Sequence, residues 1–183
     1  KDYVIKNIIN LYKNYGHTYY DANFTQEKHA FATVKEAIFN CQSEKLILAC
    51  FLHDIGHLLL NESQSDSNFL QENLRHETIA YNFLKQYYPD FITKPILLHV
   101  QAKRYLCSTR KPYYDKLSDA SKKSFHLQGG FMTDYHIKKF ESNKYFNDAV
   151  KLRELEDTSK TTSHKFISFC YDDIEKLLNK YYI

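Results

Sequence analysis

The chain has 183 residues, the length of one ordinary domain and enough to bury a hydrophobic core. A net charge of +3, with no block of like charges, argues against a nucleic-acid-binding arm. No apolar run reaches the ~18 residues of a membrane span, nothing resembles a signal peptide, and the four cysteines are scattered without a Cys-x-x-Cys pair. A cytoplasmic protein with free thiols and neither a membrane nor a nucleic-acid partner is expected, and Cys41, Cys50 and Cys170 fall on apolar helical arcs that would bury them.

Val4, Ile5, Ile8, Ile9 and Tyr12 recur at helical spacing over residues 3–14, and Gly16 is a plausible stop. A second helix is expected from Thr25 to Cys41, with Ala30, Phe31, Val34, Ala37, Ile38 and Cys41 as its apolar arc. His29 lies roughly opposite the centre of that arc, which suggests a cleft or the surface rather than the core. Ser43 is a suitable N-cap for the next helix, whose apolar stretch Leu48–Leu52 runs into His53, Asp54 and His57. A polar loop at 61–68 precedes a helix expected from Gln71 to Tyr88, closed by Pro89.

Ile96 to Leu106 continues the helical pattern. Ser118 opens a short helix that ends at Gly129-Gly130. Further helices are expected over 134–141, 145–158 and 166–181, the last with Ile167, Cys170, Ile174, Leu177 and Leu178 inward. No strand alternation or internal repeat is convincing. The expectation is one all-α helical bundle spanning residues 1–183.

The chemistry concentrates at His53-Asp54. An apolar segment seldom carries ionisable groups unless something compensates their desolvation, and a metal ion is a common compensator. His29, His53, His76 and His99 follow one another at intervals of 24, 23 and 23 residues, about one helix plus one connection each. Antiparallel helices would bring all four to one level of the bundle. Any of these histidines taken alone is ordinarily a surface or hydrogen-bonded residue; their recurrence, together with the acid, points to a site. Four imidazoles exceed the need of one ion and suit two ions bridged by Asp54, with a nitrogen and oxygen donor set that fits iron, manganese or zinc. His57, one turn after His53, is expected to face the same cleft. Lys103, one turn after His99, supplies positive charge.

The ordered set His29, His53-Asp54 and a late carboxylate resembles the HD-domain superfamily. Leu52–His57, His76-Glu77, His99–Leu106, Leu117–Ser121 and Gln128–Gly130 are similar to the HD-domain phosphonate oxygenases in particular, typified by 2-amino-1-hydroxyethylphosphonate dioxygenase. The resemblance implies a mixed-valent diiron centre, Fe(II)/Fe(III), with dioxygen as co-substrate and a small phosphonate as the partner molecule. One iron would be held by His29, His53, Asp54 and a late carboxylate, and the other by Asp54, His76 and His99. It also implies substrate contacts from Tyr19, His57, Lys103, Ser121, Ser124, Gln128 and Arg153, with His57, Lys103 and Tyr19 the catalytic set, in a monomer or weak homo-oligomer.

Two positions depart from the family pattern. The late aspartate falls on Glu156, and helix phase agrees, since Glu156 points about 20° from the face of Ala149, Val150, Leu152 and Leu155 while Asp157 points about 120° away. Glu156 is the expected ligand and Asp157 the alternative. The acid that contacts the substrate amine in the family is replaced by Ala22, beside Asp21, so the substrate need not be the aminoethyl compound; Tyr19 and Tyr20 would suit a quaternary ammonium. Two other readings use the same residues: a two-metal HD phosphohydrolase acting on a nucleotide or other phosphate ester, and a non-catalytic HD domain that binds a small phosphonate.

Overall fold

The computed structural model describes residues 1–19, 24–63 and 75–183. Among these residues the regular structure is helical: α1 (Asp2–Tyr15), α2 (Gln26–Phe39), α3 (Glu44–Leu52), α4 (Ile55–Ser63), α5 (His76–Leu84), α6 (Asp90–Thr109), α7 (Lys111–Lys116), α8 (Asp119–Leu127), α9 (Asp134–Glu141), α10 (Phe146–Ser159) and α11 (Tyr171–Tyr181). An isolated bridge joins Tyr19 to Thr25. The all-α expectation holds. Tyr20, Asp21, Ala22 and the start of the helix expected at Gln71 lie outside the described residues.

The centre of the bundle is α3, which buries every residue from Leu46 to Leu52. A helix apolar on all sides is stable only when surrounded, and α2, α6, α10 and α11 pack around it. The outer helices are amphipathic. α1 buries Ile5, Ile8, Ile9, Leu11 and Tyr12, and α11 buries Ile174, Leu177 and Leu178. A second cluster (Ala102, Leu106, Met132, Phe140, Ala149, Val150) joins α6, α9 and α10; a third (Cys107, Leu117, Phe125) seats α8 on α6.

Several expectations are corrected. His29 is not on a cleft or surface face: α2 buries a second, polar stripe, Gln26, His29, Thr33 and Glu36, opposite its apolar arc. That stripe faces α10, where Thr33 Oγ1 lies 3.3 Å from Ser159 Oγ and also donates to the His29 carbonyl. The helix carrying His53 does not run on to His57. It stops at Leu52, and α4 restarts at Ile55 with the His57 N–H bonded to the Asp54 carbonyl.

α7, not anticipated, occupies residues given no element, with Pro112 in its first turn. The last helix begins at Tyr171 rather than 166, because the Cys170 N–H donates to Asp173 Oδ2 in a capping arrangement. Cys170 is therefore exposed, as is Cys41, which sits beyond α2 with φ of 52°; Cys50 and Cys107 are the buried thiols.

Gly56 sets the approach of α4 to α5. A Cβ there would stand 2.0 Å from the His76 carbonyl oxygen, so only glycine lets the two helices meet at the level of His76.

Candidate metal centre

Asp54 occupies the break between α3 and α4, and its two oxygens face different histidine groups. Oδ2 lies 3.2 Å from His53 Nε2 and 3.7 Å from His29 Nε2. Oδ1 lies 3.3 Å from His76 Nε2, 3.7 Å from His99 Nε2 and 3.9 Å from His57 Nε2. Glu156 of α10 closes the first group at 3.8 Å from His29 and 4.0 Å from His53. Six elements thus deliver seven side chains to one buried spot, all of which the sequence nominated: α2, the α3–α4 break, and the four helices α4, α5, α6 and α10.

Several imidazoles are held with Nε2 inward. His53 Nδ1 pairs with the Cys50 carbonyl at 2.8 Å and His99 Nδ1 with the Ile96 carbonyl at 2.7 Å, each three residues back on the same chain segment. A carbonyl accepts only, so Nδ1 carries a proton and Nε2 is the atom turned to the centre, the arrangement of metal-ligating histidines.

The electrostatics describe a cluster poised for a cation. Burial pushes His29 and His99 down to about 3, in each case helped by a neighbouring imidazole, so both are neutral. His53 is raised to about 9: burial opposes its charge, but Asp54 at 3.2 Å and Glu156 outweigh it. Asp54 is held well below the carboxylate range despite burial, chiefly by His53. His53 Nε2 and Asp54 Oδ2 are buried without a hydrogen bond of good direction. The neutral His29 and His99, a His53 that gives up its proton on ligation, two ionised carboxylates and such unsatisfied atoms fit divalent or trivalent metal ions. Two groups emerge among the described residues, His29 with His53 and Asp54, and Asp54 with His57 and His76.

Beside the cluster lies a group of cationic and polar side chains. Lys103, 3% exposed and one turn from His99 on α6, donates to Ser124 Oγ at 2.8 Å. Burial, then the Arg153 guanidinium, pushes its ammonium down to about 7. Ser121 is buried nearby, and Gln128 Oε1 is buried without a hydrogen-bond partner. Arg104 explains why two segments beside this group go together. It donates to the carbonyls of Gly129 and Gly130, so α6 is clamped to the end of α8 and the register of Lys103 against Gln128 is fixed. Both glycines have positive φ, of 104° and 61°.

Three nominated residues stand differently. Asp157 does not face the histidines; it accepts from Arg153, from the Tyr113 hydroxyl and from Lys160 Nζ. Arg153, buried, directs Nη1 to both Glu156 oxygens at 2.9 and 3.0 Å, and Nε and Nη2 to Asp157. Tyr19 is 70% exposed and is not brought to the cluster.

Lys160 and Phe24 were not anticipated. Lys160 Nζ reaches Ser121 Oγ at 3.4 Å and Glu156 Oε1 at 3.5 Å. The Phe24 ring lies 6.5 Å from that of His29. Lys160 falls one turn after Glu156, the same offset as Lys103 from His99, so the signal was present in the spacing. Phe24, in a connection without periodicity, gave none. Both also line a cavity of about 720 Å³ between α2, α7 and α10.

Comparison with known proteins agrees with this geometry. The HD domain family matches residues 17–120, which include His29, His53, Asp54, His76 and His99. The chain is 39% identical over 161 residues to a hydroxymethylphosphonate dioxygenase of Gimesia maris, covering 88% of this chain and 80% of that protein. It is 36% identical over 136 residues to a glycine-betaine-forming [1-hydroxy-2-(trimethylamino)ethyl]phosphonate dioxygenase of Leisingera caerulea, covering 74% and 69%. An uncharacterized protein of Acanthamoeba polyphaga mimivirus is 34% identical over 161 residues, covering 87% and 74%. With the Asp54-centred histidine cluster on the family's helical scaffold and these similarities along most of its length, the chain belongs to the HD-domain family, in the group that includes the phosphonate dioxygenases.

Proposed function

We propose that the protein cleaves the carbon–phosphorus bond of a 1-hydroxyphosphonate with dioxygen, releasing phosphate and a carboxylic acid. The observation that carries this reading is the pairing of a carboxylate shared by two histidine groups with a buried lysine one helical turn away (Asp54 and Lys103). Two metal ions account for the first feature; a doubly charged substrate group beside them accounts for the second, because a buried ammonium is costly without an anion to meet. The names of the two dioxygenases above support the same reaction class.

In this reading His29, His53, Asp54 and Glu156 hold one iron, and Asp54, His76 and His99 hold the other. Together the bound irons supply the oxidising chemistry by which one dioxygen accepts four electrons. The balance closes for the smallest substrate: hydroxymethylphosphonate dianion and dioxygen give formate, hydrogen phosphate and one proton. The carbon–phosphorus bond and one carbon–hydrogen bond break, and carbon and phosphorus each gain one oxygen.

The chain's own residues bind and orient. Lys103, steadied by Ser124, pairs with the phosphonate, whose arrival restores the ammonium charge that burial disfavours. Ser121 and Gln128 donate to the remaining phosphonate oxygens, and Arg153 adds positive charge from behind Glu156. His57 is kept neutral by burial and by His76, against which it stacks at 4.0 Å. A neutral imidazole facing Asp54 is suited to accept the substrate hydroxyl proton. Tyr19, exposed in this structure, is assigned from the resemblance to closing over bound substrate.

The test is to load the protein anaerobically with iron, admit oxygen, and follow oxygen uptake and phosphate release. The panel is hydroxymethylphosphonate with the 2-amino and 2-trimethylammonio 1-hydroxyethyl compounds. Stoichiometric uptake and release on one of these is expected. Nucleotide hydrolysis with manganese and no oxygen uptake would establish the phosphohydrolase instead. Metal and phosphonate binding with neither reaction would establish the binder.

A further inference from the structure

Asp157 carries an unusual load for a residue that is not in the cluster. Arg153 Nε donates to its Oδ2 at 2.9 Å, Arg153 Nη2 and Lys160 Nζ donate to its Oδ1, and the Tyr113 hydroxyl donates to Oδ2. The same two cations also reach Glu156: Arg153 Nη1 at 2.9 and 3.0 Å, Lys160 Nζ at 3.5 Å. Two carboxylates therefore share one guanidinium and one ammonium, on adjacent residues of α10. Glu156 faces His29 and His53 while Asp157 faces α7.

We infer that Asp157, oriented by the Tyr113 hydroxyl, is a positioning residue that holds Arg153 and Lys160 partly away from Glu156 and so keeps the Glu156 carboxylate available to a metal ion. This rests on the reading of Glu156 as a ligand. Two physical effects act in the same direction. Without the Asp157 charge, both cations turn fully to Glu156 and compete with the metal for its oxygens. Removing a negative charge from beside the centre also weakens attraction for any cation there. Tyr113 contributes from another helix, so the tie sets the register of α7 against α10 at the level of Glu156. The hydroxyl is the only part of Tyr113 involved, since its ring packs into the apolar clusters of α6 and α8. Its replacement by phenylalanine is thus a conservative probe.

The experiment uses the full chain without substrate or oxygen and titrates manganous ion, with free ion counted by electron paramagnetic resonance. Two bound ions are expected for the natural chain. Asp157→Asn should still bind two, one of them weakened about tenfold, the size of effect known for outer partners of ligating carboxylates. Tyr113→Phe should weaken the same ion by a smaller factor, and neither variant should change the other ion. Glu156→Gln should abolish the affected ion, and adding Asp157→Asn to it should change nothing further.

Unchanged affinities in Asp157→Asn would overturn the inference. So would equal weakening of both ions with a lowered melting temperature, which would make the role merely structural. Loss of one ion in Asp157→Asn with both retained in Glu156→Gln would make Asp157 itself the ligand. Because neither phosphonate nor oxygen enters this assay, its outcome is independent of whether the oxygenase reading survives.

Discussion

Replacing Lys103 with methionine should stabilise the fold while abolishing substrate binding. Lys103 is 3% exposed, and its ammonium is pushed from 10.5 to about 7 by burial and by Arg153. In the unfolded chain the lysine keeps its proton to about pH 10.4, so between about 7 and 10.4 the unfolded state binds more protons than the folded one. Stability from this group therefore rises with pH across that window, and the penalty is fully present below about pH 7. At ~1.36 kcal/mol per unit the penalty is about 4–5 kcal/mol.

Methionine keeps most of the buried stem but leaves Ser124 Oγ without its donor at 2.8 Å, which costs about 1 kcal/mol. A net stabilisation of about 3 kcal/mol at pH 7 remains, or a melting temperature raised by about 6–12 °C for a chain of this size. Calorimetric melting of the metal-loaded, substrate-free protein at pH 7 and pH 9.5 measures it, and the advantage should shrink sharply at the higher pH. Direct titration with hydroxymethylphosphonate should give no measurable binding. A variant destabilised at pH 7, or one whose advantage ignores pH, would refute the reasoning.

Three further outcomes follow from the same geometry. Glu156→Asp should retain or raise occupancy of the His29–His53 ion, read as metal per chain, because the shorter side chain loses reach to Arg153 and Lys160 as well as to the histidines; empty sites would count against Glu156 as the ligand. Gly56→Ala should cost about 1–3 kcal/mol or more in urea unfolding, since its Cβ would meet the His76 carbonyl at 2.0 Å, and it should loosen the ion on the His76 side first. Metal binding at pH 7.5 should release about one proton from His53, whose pKa of about 9 in the metal-free fold keeps it charged there while a metal requires it neutral. Calorimetry in two buffers of different ionisation enthalpy measures that proton, and equal heats would contradict it.

The fold class and most of the centre were legible because each rests on a short-range pattern. Apolar spacing marked the helices, and equal intervals between His29, His53, His76 and His99 implied one level of a bundle. The phase of α10 alone separates Glu156 from Asp157, since 100° per residue turns neighbours to different faces. The resemblance then supplied the chemistry that spacing could not.

What the linear chain left open depended on contacts between distant elements. The apolar arc of α2 was visible, but the burial of His29 needed α10 to arrive on the other side with Ser159 and Glu156. The stop at Leu52 was hidden because the residues on both sides favour helix; Asp54 is turned across the bundle toward α2, α5 and α6 at that break. The partners of Arg153, Asp157 and Tyr113 are likewise set by how α7 lies on α10. The sequence alone nominated the side chains that meet around Asp54, because identity and spacing are local properties of the chain. Only the tertiary structure decided which oxygen of Asp54 meets which histidine and which cation restrains Glu156, because those depend on distances across helices that no periodicity encodes.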